Sequence, residues 1–359
     1  MLRISAERAP EAIAFFRLPG ENKAQAFLQF SQPHILPSLN ELNSCGRGFV
    51  VSPFAIGRAA AAATSAARLC FIAPDEETTF IPAARETLPP LAFPADGDTL
   101  HADYIRSFRV AHQALLRGTC EKVVLARRLP VRLPSPTLAQ MESLFAAACL
   151  RYPDNYIALW AIGGREAWLV ATPELLLQTD GPEFSTMALA GTMTWEEHIS
   201  GKPWSEKNRA EQALVAQTLQ QSLLPLTQTL DIALLHTEQA ATLAHLCTRF
   251  KGIRRPDVTV SRLIEALHPT PAVAGLPLPA ALSTIAAAED FSRSYYAGFS
   301  GLWNAGKACR LFVSLRCMQW QADGNAYLYA GGGLLPESMP EAEWTETSRK
   351  LRTILDLLQ

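Results

Sequence analysis

Apolar positions recur along the chain with two spacings. In residues 1–98 they form short runs, IAFFRL, AFLQF, FVVSPF and CFIAP, broken by Pro, Gly and Asn, which predicts short strands. From residue 99 a helical spacing enters: TLHADYIRSFRVAHQALLRG predicts a helix, KVVLARRLPV a strand with Lys122 at its start, and 136–150 a second amphipathic helix. NYIALWAI and AWLVATP flank Gly163-Gly164 and predict a hairpin. SEKNRAEQALVAQTLQQSLL predicts a long helix capped by Ser205, and TVSRLIEALH and LPAALSTIAAAEDF predict two more. The last third holds GFSGLWNAG, CRLFVSLRCMQW and NAYLYAGGG as strand-like runs, a turn at Asp323-Gly324, and a helix from about Pro340.

Strands dominate, helices fall between them, and several neighbours are joined by hairpin-type turns. This favours an antiparallel α+β arrangement over a doubly wound parallel sheet. No fixed-period repeat is present, and the proline-rich LPPLAFPADGDT reads as a connecting loop, so 1–359 is expected to form a single domain. Within it, 1–98 would be a variable N-terminal part and 99–359 the catalytic core.

Composition narrows the partners. Apolar residues make up 48% of the chain and charged ones 18%, with a net charge of −2, so no attraction to nucleic acid or an anionic membrane is evident. The expected partner is a small molecule. Seven scattered cysteines without a C-x-x-C pair fit reduced thiols, and MLRISAERAPEAI has charges where a signal peptide needs an apolar core. A cytoplasmic, monomeric protein without a membrane span is expected.

Candidate chemistry sits at a few positions. In EAEWTETSRK, Glu343, Glu346 and Lys350 are spaced i, i+3 and i+7 and share one helix face. Two carboxylates one turn apart could converge on Mg²⁺, with Glu211 on the SEKNRAEQALV helix completing the set. Spacing alone favours a solvated, salt-bridged face. Lys122 at a strand mouth would have its pKa lowered by desolvation and serve as a general base, and partial burial of Glu174 after Thr172-Pro173 would suit it to donate a proton. A solvated lysine and a loop carboxylate are the commoner readings. Gly331-Gly332-Gly333 lets backbone N–H groups approach an anion or simply makes a bend. His245 in LAHLCTRF reads as a core histidine, whereas Arg316 inside the strand-like VSLRC calls for an anionic partner, from substrate or protein.

The order of these segments resembles the chorismate-utilising enzyme family, which includes isochorismate synthases, salicylate synthases and the large subunits of anthranilate and aminodeoxychorismate synthases. The likeness covers residues 100 to 359 through EKVVLARR, ATPELLL, ALAGT, SEKNRAEQALV, LAHL, LHPTPAVAG, EDFSRSYYAG, FVSLR, YAGGG and EAEWTETSRKL. It implies two stacked antiparallel sheets with helices outside, chorismate as substrate and Mg²⁺ as cofactor. By position, Glu211 and Glu346 look like the metal carboxylates, Glu343 a water-mediated ligand, and Lys350 a partner for the substrate carboxylate that the ion also holds. Arg316, Tyr296, Gly332 and Gly333 would line the remaining carboxylate sites, Gly191 and Thr192 would border the ring, and His245 fits as a further substrate contact.

Lys122 is similar to the water-activating base of the isochorismate and salicylate synthases. Ala190 stands where the lysine-nucleophile aminodeoxychorismate synthases carry their lysine. The resemblance therefore implies isochorismate synthase: Glu174 protonates the departing C4 hydroxyl while water adds at C2. The rival is a salicylate synthase, which would go on to eliminate pyruvate, and LHPTPAVAG with a short N-terminal region favours the first. A non-catalytic relative would be expected to have lost one of Lys122, Glu174, Glu211 or Glu346. Two positions depart from relatives: Gln212 follows the metal glutamate in place of a histidine, and Asn208 replaces an acid. Isochorismate feeds both menaquinone and siderophore biosynthesis, and no residue chooses between them.

Overall fold

Tyr156–Ile162 and Glu166–Thr172 fold back on each other across Gly163-Gly164, as the sequence predicts, and form the middle of a nine-stranded antiparallel sheet. In this computed structural model, residues 9–62, 66–83, 91–94, 97–304 and 307–359 are described. The opening MLRISAER lies outside them, as does part of the stretch 88–99 expected to be a connecting loop. From edge to edge the first sheet runs Gly275–Leu276, Lys122–Arg132, Asn325–Leu334, Cys317–Gln321, Glu166–Thr172, Tyr156–Ile162, Ala12–Arg17, Ala24–Gln29 and Glu76–Phe80. The second runs Thr227–Ile232, Leu243–Arg254, Glu183–Thr194, Leu175–Asp180, Ala308–Val313, Phe299–Asn304, Arg47–Ser52, Leu69–Ile72 and His34–Leu36. His236–Ala240 also pairs with Leu243–Arg254. Strands from the first hundred residues enter both sheets.

The two inner faces pack directly together, because strands with large apolar side chains on one face must bury it against another layer. Tyr156 stacks flat on Phe312 at 4.2 Å, and Phe49 of the second sheet packs against Phe16 and Trp160 of the first. The helices Leu138–Arg151 and Pro340–Leu355 cover the outer face of the first sheet, where Phe145, Leu144, Leu351 and Ile354 join Phe15, Leu169 and Leu328. Gly97–Leu116, Glu206–Leu223, Val260–Leu267 and Leu278–Ala288 add apolar faces to the core shared by the two sheets. The fold is thus α+β with two stacked antiparallel sheets flanked by helices. No helix among the described residues is long and apolar enough to cross a membrane.

One strand-like run behaves differently from expectation. CRLFVSLRCMQW divides into Ala308–Val313 in the second sheet and Cys317–Gln321 in the first. Arg316 therefore lies in the crossing between sheets with φ +47°, not inside a strand. Both halves are apolar because both are buried, so hydrophobicity alone hides the break.

Candidate active site

The site begins where Lys122–Arg132 and Asn325–Leu334 run side by side, with Gly333 paired to Val124 and Gly331 to Ala126. Lys122, the first residue of its strand, is wholly buried. Glu211 reaches it from the helix Glu206–Leu223, whose first turn is fixed by the Ser205 hydroxyl accepting from the Asn208 N–H. Lys122 Nζ lies 3.0 Å from Glu211 Oε1, a charge contact without hydrogen-bond geometry. Gly333 makes this meeting possible: a Cβ there would stand 1.9 Å from Glu211 Oε1 and 3.0 Å from Lys122 Cε.

The helix Pro340–Leu355 brings the other carboxylates. Glu343 is 1% exposed and accepts a hydrogen bond from Lys207. Glu346 Oε1 accepts from Lys350 Nζ at 2.7 Å, and the same ammonium donates to the Gly331 carbonyl at 2.9 Å. Gly332 faces these acids, and a Cβ on it would lie 3.2 Å from Glu343 Oε2 and 3.7 Å from Glu346 Oε1. Burial and the neighbouring Glu346 raise the Glu343 pKa against the pull of Lys207. Burial also acts to raise Glu346, but Lys350 and Lys207 outweigh it and hold that carboxyl below its ordinary value. Lys207 feels Glu343, Glu346 and Glu211 together, and they raise its pKa despite burial.

This donor set fits the Mg²⁺ that the resemblance implies. Three carboxylates come from two helices, each beside a lysine and all acting on the charge of Lys207, and hard oxygen donors suit Mg²⁺. Glu343 Oε2 is buried and makes no hydrogen bond among the described residues.

Across the cavity stand the groups suited to proton transfer and anion binding. Glu174, between Glu166–Thr172 and Leu175–Asp180, is 4% exposed. Burial pushes its pKa up to about 7, opposed in part by the charges of Lys122, Arg316 and Lys350. The Arg316 guanidinium is buried with no ion-pair partner among the described residues, and its Nη2 donates to His245 Nε2 at 3.0 Å. An arginine can only donate, so Nε2 is the acceptor and the His245 hydrogen sits on Nδ1, donating to the Gly191 carbonyl at 2.9 Å. Burial and the charges of Arg316 and Lys350 bring His245 down to about 3, so the ring is neutral near pH 7. Gly191 occupies the irregularity between Ala190 and Thr192 where Glu183–Thr194 shifts register against Leu243–Arg254.

Glu174, Gly191, Thr192, Glu211, His245 and Tyr296 line one pocket, together with Arg316, Gly333 and Lys350. Lys122 and Glu346 lie directly behind that lining, paired with Glu211 and Lys350. Gly332 sits on the opposite side of its strand from Gly331 and Gly333, so it makes room for the helix acids and does not border the pocket. Sequence reasoning missed Lys207, although its place one turn before Glu211 on the same helix was a usable signal. It also missed the apolar walls from Leu189, Val273 and Leu315. The two unusual helix residues have local partners: Gln212 donates to the Thr248 hydroxyl at 2.8 Å and Asn208 to the Thr192 carbonyl at 3.3 Å.

Residues 15–359 match the chorismate binding enzyme family. A putative isochorismate synthase MenF of Mycobacterium tuberculosis is 34% identical over 275 residues, 72% of this chain and 73% of that protein. Isochorismate synthase EntC of Escherichia coli is 34% identical over 69% of this chain and 65% of its own length. Among solved structures, the menaquinone-specific isochorismate synthase MenF of Escherichia coli superposes with a TM-score of 0.81 at 22% identity, covering 98% of this chain and 90% of that one. Anthranilate synthase component I of Streptococcus pneumoniae reaches 0.76 at 17% identity, covering 96% and 92%. With the family matched over nearly the whole chain, on a fold of two stacked antiparallel sheets that hold these carboxylates and lysines together, this protein belongs to the chorismate binding enzymes.

Proposed function

We propose that this protein is an isochorismate synthase, an isomerase that converts chorismate to isochorismate with Mg²⁺. The observation that carries the reading is the joint burial of Lys122 and Glu174 around a pocket whose guanidinium, Arg316, has no acidic partner among the described residues. An unpaired buried guanidinium is suited to a substrate carboxylate. Lys122 takes a proton from water as the new C2–O bond forms. The C1=C2 and C5=C6 double bonds shift to C1=C6 and C4=C5, and the C4–O bond breaks. Glu174, whose raised pKa keeps a proton available near pH 7, gives that proton to the departing hydroxide. One water is consumed and one released. Lys350 orients the carboxylate beside Arg316, whose guanidinium His245 holds in place, and Leu189, Val273 and Leu315 limit the water reaching the ring. Mg²⁺ held by Glu211, Glu346 and Glu343 would offset the substrate's negative charge and fix its orientation.

The relatives named isochorismate synthase support this reading, as does the presence of Lys122, Glu174, Glu211 and Glu346. The test is purified protein with chorismate, with and without Mg²⁺, products separated by chromatography. Isochorismate is expected, with turnover lost on chelation and reduced about 10²–10⁴-fold in Lys122→Ala and Glu174→Ala. Accumulation of salicylate and pyruvate would move the assignment to a salicylate synthase, and binding without turnover would make the chain a silent relative.

A further inference from the structure

The inner face of the first sheet carries a second cavity, which the proposed reaction does not use. Along Asn325–Leu334, Gly331 and Gly333 border the candidate active site, while Tyr327 and Tyr329, on the same face, border the second cavity. Glu166–Thr172 repeats the arrangement: Glu166 and Trp168 stand at the second cavity, and Glu174, beyond the strand's end, stands at the first. The Tyr296 and Tyr329 rings, stacked 5.4 Å apart, separate the two. The second cavity measures about 510 Å³, within the range of small-molecule sites.

Its lining has a definite chemistry. Trp160 and Trp168 lie parallel beneath it at 6.4 Å, and Tyr295 meets both edge-on. Each indole is 1% exposed, and neither indole N–H has an acceptor among the described residues. At the half-open side the Arg128 guanidinium lies over the Tyr327 ring at 4.7 Å and over Phe291 at 5.2 Å. Neither Arg128 nor exposed Arg165 has an acidic partner among the described residues. The one acid among the described residues lining the cavity, Glu166, accepts a hydrogen bond from Gln319, whose carbonyl in turn accepts from Tyr329 Oη. Flat aromatic walls favour a planar ring, and cationic, donor-rich walls favour an anion over a cation.

We propose that this second cavity binds a small planar aromatic carboxylate, with its ring against Tyr327 and its carboxylate on Arg128 and Arg165. Isothermal titration of the full chain with 2-naphthoate tests this. One saturable site per chain is expected, retained in Arg316→Ala and weakened at least tenfold in Arg128→Gln/Arg165→Gln, with chorismate turnover of that double variant unchanged. The neutral isostere 2-naphthamide should bind the wild type at least tenfold more weakly. Gln321→Trp, which fills the cavity and leaves both arginines in place, should also abolish binding, so the outcome does not depend on the arginine variant folding. Absence of saturable binding at millimolar naphthoate overturns the proposal. So does binding that disappears with Arg316→Ala while surviving the double variant, or equal affinity for the amide.

Discussion

Glu174 and His245 are pushed in opposite directions by the same surroundings. Burial disfavours charge on both, so the carboxyl rises to about 7 while the imidazole falls to about 3. Only the protonated carboxyl can donate, so kcat should fall as the pH rises through about 7, and a pH–rate profile of kcat checks this. Glu174→Gln should lose both the activity and that limb. The same shift has a stability consequence. A folded pKa above the unfolded one near 4.5 gives stability that is present in full below about 4.5 and lost as pH rises through about 7. Denaturant unfolding should therefore show Glu174→Gln gaining on the wild type between pH 5 and pH 8, by about 3 kcal/mol at most. Gly333→Ala should cut turnover at least a hundredfold while the protein stays folded, since its methyl would force Glu211 and Lys122 aside; paired turnover and circular dichroism measurements decide it. The candidate residues were legible because they stand at strand ends and helix turns that periodicity locates. Their burial was not: Glu343 and Glu346 have the spacing of a solvated face, and only the approach of Gly332 and of a helix far away in sequence makes Glu343 an interior acid.

At the scale of elements, EDFSRSYYAG is a fastening that joins three segments. Glu289 ends the helix Leu278–Ala288 and accepts from the Ala126 N–H at 2.8 Å. Arg293 Nε donates to Glu289 Oε2 at 2.8 Å, and its other nitrogens donate to the carbonyls of Val273 and Val124. The pair thereby ties LHPTPAVAG to the strand that carries Lys122 and sets the turn presenting Tyr296. Arg293→Met leaves a buried carboxylate without its counter-charge and two carbonyls without their side-chain donor, and should cost about 3–5 kcal/mol in denaturant unfolding, with Glu289→Gln/Arg293→Met costing less than the single change. The sequence showed most helices and most strands of the first sheet, though not its edges Glu76–Phe80 and Gly275–Leu276, because their apolar periods are long and their ends carry Gly, Pro or a Ser cap. It left Thr227–Ile232 unread, since this edge strand is polar and mostly exposed and carries little hydrophobic signal, and it also left Leu175–Asp180, Glu183–Thr194, His236–Ala240 and Leu243–Arg254 unread as strands. Nothing in VSLRC marks Arg316 as the point where the chain changes sheets.

The whole molecule decides which charges meet. Glu211 and Glu346 are 135 residues apart in the chain, and they approach only because one helix packs along Glu183–Thr194 while the other crosses the end of Asn325–Leu334. Such pairing across sheets is the part of the site that no local pattern encodes; the order of family-like segments indicated it instead. The three acids are each matched by a lysine, Lys122 with Glu211, Lys207 with Glu343 and Lys350 with Glu346. Lys207 is the member that no step of the proposed reaction needs; it bonds Glu343 and also feels the charges of Glu346 and Glu211. Its ammonium offsets charge that would otherwise accumulate between two helices in the metal-free protein. Replacing it by methionine keeps the apolar stem and removes the charge. Because Lys207 is partly open to water, the metal-free variant should lose about 2 kcal/mol, between the values for surface and fully buried pairs. Mg²⁺ would then have less competition for Glu343 and more uncompensated charge to neutralise. Millimolar Mg²⁺ should raise the melting temperature of Lys207→Met more than that of the wild type, and Ca²⁺, which takes more oxygen ligands at longer distances, should raise it less than Mg²⁺ does. Equal Mg²⁺-induced shifts in the two proteins would show that the lysine and the metal do not share these carboxylates.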